Sequence, residues 1–292
     1  MTTTVAEALS QARELGVDRL DAQLLLADLL SQNRAWLISH DDAPLAAEQA
    51  ATLAQQLAQR AAGVPLAYLV GNKEFHGLRL RVTADTLVPR PDTEVLVDWA
   101  LELLATLPGS PRVVDLGTGS GAIALAIKHR HPPAEVEAVE LSAAALAVAE
   151  SNAQRLGLAV CFHLGSWWQP LADQRFELIV SNPPYIAAGD PHLPALRHEP
   201  LSALTPGAGD TTGLSALLEI IDGAPDHLHP GGWLLLEHGF DQADAVAAAL
   251  QARGFADVTL KRDLGGQPRV TGGQIPKFHT SLCSKDWVSG VV

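Results

Sequence analysis

The stretch Asp115-Leu116-Gly117-Thr118-Gly119-Ser120-Gly121 constrains this chain more than any other. It follows a short apolar run, Arg112-Val113-Val114, and opens a helical pattern from Ala122 to His129. A second run, Val136-Glu137-Ala138-Val139, then ends on the acid Glu140. Strand, glycine turn, helix and strand in that order predict a βαβ unit, and so a mostly parallel sheet covered by helices. The glycines let the backbone turn sharply and come close to a ligand, and the helix N-terminus offers unpaired N–H groups. An acid closing the second strand suits ribose hydroxyls. The glycines read G-x-G-x-G rather than the G-x-G-x-x-G of the dinucleotide fingerprint. A carboxylate at Asp115 would repel a pyrophosphate and suits a cofactor bearing an ammonium group. That favours S-adenosylmethionine over NAD.

The same alternation continues beyond Leu87. Ala159 to His163, Phe176 to Val180 and Trp233 to Leu236 are further strand candidates, and Ala143 to Leu156 reads as a helix. Ahead of it the texture differs. Thr4-Val5-Ala6-Glu7 has capping-box spacing, and Gly16 closes a first helix. Leu20 to Leu30 is apolar on more than one face, and Ala46 to Ala62 forms a third helical stretch ending at Gly63. These predict a small helical bundle whose leucines form its core. Tyr68-Leu69-Val70 and Leu78 to Val82, flanking Gly71 and Gly77, read as the strands of a hairpin between the two parts. The expected division is a helical bundle over 1–64, a hairpin linker over 65–86 and an α/β domain over 87–273, with 274–292 unassigned.

The second motif is Ser181-Asn182-Pro183-Pro184-Tyr185-Ile186, at the end of the run from Phe176. Two prolines stiffen the chain just past a strand's carboxyl end, where ligands bind in open α/β sheets. Asn182 can offer its amide oxygen and Pro183 its carbonyl, two acceptors for one planar NH₂ group. Tyr185 would supply a flat face to the substrate. Asn-Pro and Pro-Pro also mark ordinary turns. The glycine loop and the intervening acid tip the reading toward chemistry.

With these motifs in order, the chain resembles the class I S-adenosylmethionine-dependent methyltransferases that modify planar amino groups, and more narrowly the release factor glutamine methyltransferases, the HemK/PrmC family. The resemblance also rests on Tyr68-Leu69-Val70-Gly71, Glu74-Phe75-His76-Gly77, Leu87 to Glu94, His198-Glu199-Pro200, Leu234 to Gly239 and Arg262-Asp263-Leu264. It implies a Rossmann-like methyltransferase sheet carrying the helical bundle, which would take part in substrate recognition. The implied activity moves a methyl group from S-adenosylmethionine, leaving S-adenosylhomocysteine, to the side-chain amide nitrogen of the glutamine in the Gly-Gly-Gln motif of peptide chain release factors. Asp115, Gly117, Thr118, Gly119, Ser120 and Gly121 would then bind the cofactor, Glu140 its ribose, and Trp167 would pack near the adenine. Asn182, beside the cofactor, would hold the glutamine together with Pro183, Pro184 and Tyr185; Asn182, Pro183 and Tyr185 would carry the catalysis. Arg90 and Pro91 lie in a segment the family places near the active site. Three departures stand out: Glu140 where Asp is usual, Ser166 where many relatives have Asp, and the chain from about Gln274 onward.

Other chemistries are weighed against this. An adenine-specific DNA N6-methyltransferase could use the same Asn-Pro-Pro-Tyr segment, but 20 Lys and Arg against 33 Asp and Glu leave a net charge of -13. Direct nucleic-acid binding is therefore not expected. A noncatalytic adenosine-binding protein and an NAD oxidoreductase are the other rivals. His129 with His131, and His227 with His229, lack further ligands at useful spacing, so no metal is expected. His238 is expected to serve a structural hydrogen bond. The two cysteines form no disulfide framework. With no basic-apolar leader and no apolar run of membrane length, a cytoplasmic monomer whose partner is the release factor is the expectation.

Overall fold

The computed structural model describes residues 3–277. Five helices come first: α1 Val5–Glu14, α2 Arg19–Leu29, α3 Arg34–Ser39, α4 Ala47–Ala61 and α5 Leu66–Val70. Thr4 Oγ1 accepts from the Glu7 N–H at 3.3 Å and the Glu7 carboxylate accepts from the Thr4 N–H at 2.9 Å, the reciprocal cap that starts α1. Val5, Ala8 and Ala12, on one face of α1, close over Leu25, Leu26, Leu37, Leu53 and Leu57. The leucines are core, as expected.

Tyr68-Leu69-Val70 is not a strand. It forms α5, which starts directly after Pro65 and ends at Gly71 in the left-handed conformation. Leu66, Leu69 and Val70 pack on the bundle core while Tyr68 turns away; its hydroxyl donates to the Thr86 carbonyl at 2.5 Å. A short apolar triplet does not distinguish helix from strand, and its packing partners decide. The hairpin begins later, with β1 Asn72–Phe75 paired antiparallel to β2 Leu78–Arg81. Its two-residue turn, His76-Gly77, has positive φ at both positions, as a twisted hairpin requires.

A 3₁₀ turn over Pro91–Thr93 leads into α6 Glu94–Leu104. There follow β3 Arg112–Leu116, α7 Ala122–Arg130, β4 Glu135–Glu140, α8 Ala143–Leu156, β5 Cys161–Leu164 and β6 Phe176–Ser181. After a long connection come α9 Ser215–Gly223, β7 Leu228–Glu237, α10 Ala243–Ala252, β8 Ala256–Arg262 and β9 Pro268–Gln274. The seven strands run β5-β4-β3-β6-β7-β9-β8. β3 to β7 are parallel, and β9 lies antiparallel between β7 and β8. Leu96, Trp99, Ile123 and Ile127 cover one face, and Leu217, Ile220, Val246 and Leu250 the other. Both faces are dry, which is why the central strands read as unbroken apolar runs.

Of the unassigned tail, Gln274 pairs with Trp233 and Ala256, and the Ile275 N–H donates to the Gly232 carbonyl at 2.9 Å. Residues 278–292 lie outside the described residues. Among the described residues no helix is long and apolar enough to cross a membrane.

Candidate active site

The chain winds from β3 outward through β4 to β5, then returns to place β6 on the other side of β3. That reversal leaves a crevice at the carboxyl ends of the strands. Leu116 pairs with Ser181, whose hydroxyl donates to the Leu116 carbonyl at 2.6 Å, so Gly117 and Asn182 leave neighbouring strands at the same level. A cleft of about 1000 Å³ opens there. Gly117, Thr118, Gly119, Ser120, Glu140, Trp167, Asn182, Pro184 and Arg90 line it; Asp115, Gly121, Pro183 and Tyr185 stand behind its wall. The two motifs therefore converge on one cavity.

Gly117 has φ +76°, and a Cβ there would come within 3.3 Å of the Trp167 ring. The indole thus lies against bare backbone, and Trp167 is itself left-handed, with φ 41°. Behind the loop, Asp115 is fully buried. Its Oδ2 accepts from the Thr118 hydroxyl at 2.6 Å and from the Ala124 N–H at 3.3 Å, while Oδ1 has no partner among the described residues. Burial pushes this carboxyl up to about 7, against the pull of Thr118 and Ala124. Glu140 closes β4 and clamps the loop: its oxygens accept from the Gly119 N–H at 2.8 Å and the Ser142 N–H at 2.9 Å. Its longer side chain reaches these N–H groups and keeps a further lone pair on each oxygen. The unpartnered Asp115 oxygen, the acid at the end of β4 and the Trp167 face on the loop fit an adenosine cofactor with an ammonium group.

Asn182 is oriented from outside its own segment. Its Nδ2 donates to the Thr93 hydroxyl at 3.2 Å, leaving Oδ1 as the acceptor on offer. Among the described residues no hydrogen bond engages the Pro183 carbonyl. The Tyr185 hydroxyl points away from the cleft and donates to Glu237 Oε1 at 3.2 Å. Its ring packs with the core beside β6 rather than presenting a face to the cleft. Glu237 is fully buried at the end of β7; burial pushes its carboxyl up to about 7, opposed by Thr93, Arg269 and Tyr185. Its Oε2 has no partner among the described residues. Thr93 and Glu237 sit inside quoted motifs, yet nothing in their spacing to Asn182 marks either as its support.

Arg90 is paired with buried Glu199, which also accepts from the Val88 N–H at 3.1 Å. Arg197 and His198 reach the Ala62 carbonyl at the end of α4, so this segment joins the helical bundle to the cleft rim. His238 is buried and hydrogen-bonded to Thr271 at 2.7 Å, and burial lowers its pKa. His129 is exposed, whereas His227 is buried and stacks on Trp168 at 4.6 Å. Away from the cleft, Glu137, Cys161 and His163 bring ligand-type atoms within 4.8 Å of one another, and Arg112 already pairs with this glutamate.

A mostly parallel sheet with the glycine loop and Asn182 at its switch point has the architecture of a class, the methyltransferases. The family model described as methyltransferase small domain matches residues 95–198, and the one described as PrmC N-terminal domain matches residues 3–71. The release factor glutamine methyltransferase of Bordetella pertussis is 50% identical over 263 residues, covering 89% of this chain and 96% of that one. Its counterpart in Xylella fastidiosa is 49% identical over 274 residues, covering 93% and 98%. A methyltransferase structure from Pyrococcus furiosus, 18% identical with a TM-score of 0.52 over 68% of this chain and 90% of that one, shares the fold. The chain belongs to the release factor glutamine methyltransferase family.

Proposed function

We propose that the protein methylates the side-chain amide nitrogen of the glutamine in the Gly-Gly-Gln motif of peptide chain release factors, using S-adenosylmethionine. The observation that carries this reading is the Asn182 amide, whose NH₂ is taken by Thr93 so that its oxygen is left to accept. Asn182 Oδ1, at the cleft, and the Pro183 carbonyl, which follows it in the chain, would form an acceptor pair matched to the two N–H bonds of a primary amide. The bound cofactor supplies a methyl group made electrophilic by its sulfonium. Gly117 to Gly121 would hold it, with Glu140 on the ribose, Trp167 beside the adenine and Asp115 on the ammonium side.

A neutral amide nitrogen is a weak nucleophile because its lone pair is delocalised. The residues therefore act by holding rather than by deprotonating. Pinning both N–H bonds fixes the nitrogen's direction, and an oriented encounter is worth several kcal/mol. The same acceptors stabilise the positive charge that grows on nitrogen during attack. The proton then leaves to water. The release factor is a folded partner, and the rim from Arg197 to Pro200, tied to α4, is where the bundle would meet it. Asn182→Ala is expected to lower kcat by about 100-fold with cofactor binding little changed. Full turnover at saturating release factor would contradict the role given to Asn182.

A further inference from the structure

In the Asn182-Pro183-Pro184-Tyr185 segment, Tyr185 hydrogen-bonds Glu237, and Asn182 hydrogen-bonds Thr93, whose hydroxyl stands beside the same carboxyl. Tyr185 donates its hydroxyl proton to Glu237 Oε1 at 3.2 Å. Asn182 donates Nδ2 to Thr93 Oγ1 at 3.2 Å. Thr93 is buried, and its hydroxyl stands beside the Glu237 carboxyl and favours the ionised form. Among the described residues Glu237 Oε2 is buried with no hydrogen-bond partner, and rotation of that hydroxyl toward it would supply one.

We infer that Glu237 is a positioning residue that sets the direction of both polar side chains of the catalytic segment, acting on Asn182 through the Thr93 hydroxyl and on Tyr185 directly. Donor and acceptor polarity sets these directions. In the ionised form, which Thr93, Arg269 and Tyr185 favour against burial, the Glu237 carboxylate can only accept, so the hydroxyls that meet it must donate to it. Thr93 has one proton; once that proton is spent on Glu237, its oxygen can only accept from Asn182. The amide then turns its NH₂ toward Thr93 and its oxygen toward the cleft. Reverse the polarity at residue 237 and the amide loses its reason to face that way. The inference rests on the methyl-transfer reading for its functional consequence, but the polarity chain itself does not.

Glu237→Gln tests this with almost no change of shape. A glutamine amide has one acceptor and one donor end, so it cannot accept from both hydroxyls. The expected result with full-length protein and a release factor is a loss in kcat of about 100-fold, with the KM for S-adenosylmethionine within about threefold of wild type. Thr93→Val, which removes the hydroxyl and keeps Glu237, is expected to show the same split. Thr93→Ser is expected to restore most of what Thr93→Val loses. A readout independent of turnover is the side-chain NH₂ resonance of Asn182, assigned by its absence in Asn182→Asp. It should shift in Glu237→Gln and in Thr93→Val. Wild-type kcat in Glu237→Gln, or an Asn182 resonance that stays in place in that variant, would overturn the inference. Should the wild-type protein fail to methylate a release factor, the proposed function falls, while the resonance still decides the relay.

Discussion

Which end of the Asn182 amide meets the cleft is decided by a single hydrogen bond to Thr93. At this scale the sequence shows the parts without their supports. The glycine loop, Glu140 and Asn182 are visible because they lie at strand ends, where periodicity stops and turn chemistry starts. Thr93 and Glu237 come from elements remote in the chain, and only the sheet order brings them to Asn182. Gly213 is a further support of this kind. It has φ +70°, and a Cβ there would come to 2.0 Å from the Tyr185 carbonyl oxygen, on which Gln242 Nε2 also donates at 3.0 Å. Gly213→Ala must displace Tyr185 or its own loop. The expected outcome is a loss of kcat of about 10-fold or more, measured at saturating cofactor, together with a lower melting temperature.

Between elements, the buried side chain of Asn152 on α8 ties three pieces together. Its Oδ1 accepts from the Arg81 N–H at 2.7 Å, and its Nδ2 donates to the Arg81 and Ser120 carbonyls, each at 2.9 Å. The hairpin that joins the helical bundle to the α/β domain is thereby fastened to the glycine loop. Asn152→Leu leaves three backbone groups without a partner and is expected to cost about 2–4 kcal/mol, read as a drop in urea midpoint. Cofactor affinity should fall with it, since Ser120 lines the cleft. The elements themselves are largely readable: α8 follows its apolar period, α7 is apolar all round between the glycine loop and a basic end, and β3, β4 and β6 follow their runs. Tyr68 to Val70 misled because three apolar residues fit either period. β8 and β9 escaped notice because β8 is half-exposed and β9 carries Gly272 and Gly273 in place of apolar side chains.

Across the whole molecule, two buried carboxyls give the protein an unusual response to pH. Asp115 and Glu237 are each raised to about 7 in the folded state, chiefly by burial. In the unfolded chain both titrate near 4. The folded state thus binds more protons between those values, so these groups make stability fall as pH rises from about 4 through 7. Thr118, Ala124 and Glu140 act on Asp115, and Thr93, Tyr185, Arg269 and Asp92 on Glu237. The melting temperature of the cofactor-free protein is expected to be higher at pH 6 than at pH 8. Part of that slope should vanish in the Asp115→Asn, Glu237→Gln double variant. A slope unchanged by the double variant would assign it instead to the net charge of -13. That acidic balance also supports a protein glutamine over a DNA adenine for an acceptor pair able to take either, beside the ordered motifs that carry the choice. Mass spectrometry tests the choice most directly, on a release factor and on DNA, each incubated with the protein and S-adenosylmethionine. One added methyl group on the glutamine of the Gly-Gly-Gln peptide, with DNA unchanged, is the predicted result; methylated adenine with an unmodified glutamine would contradict it.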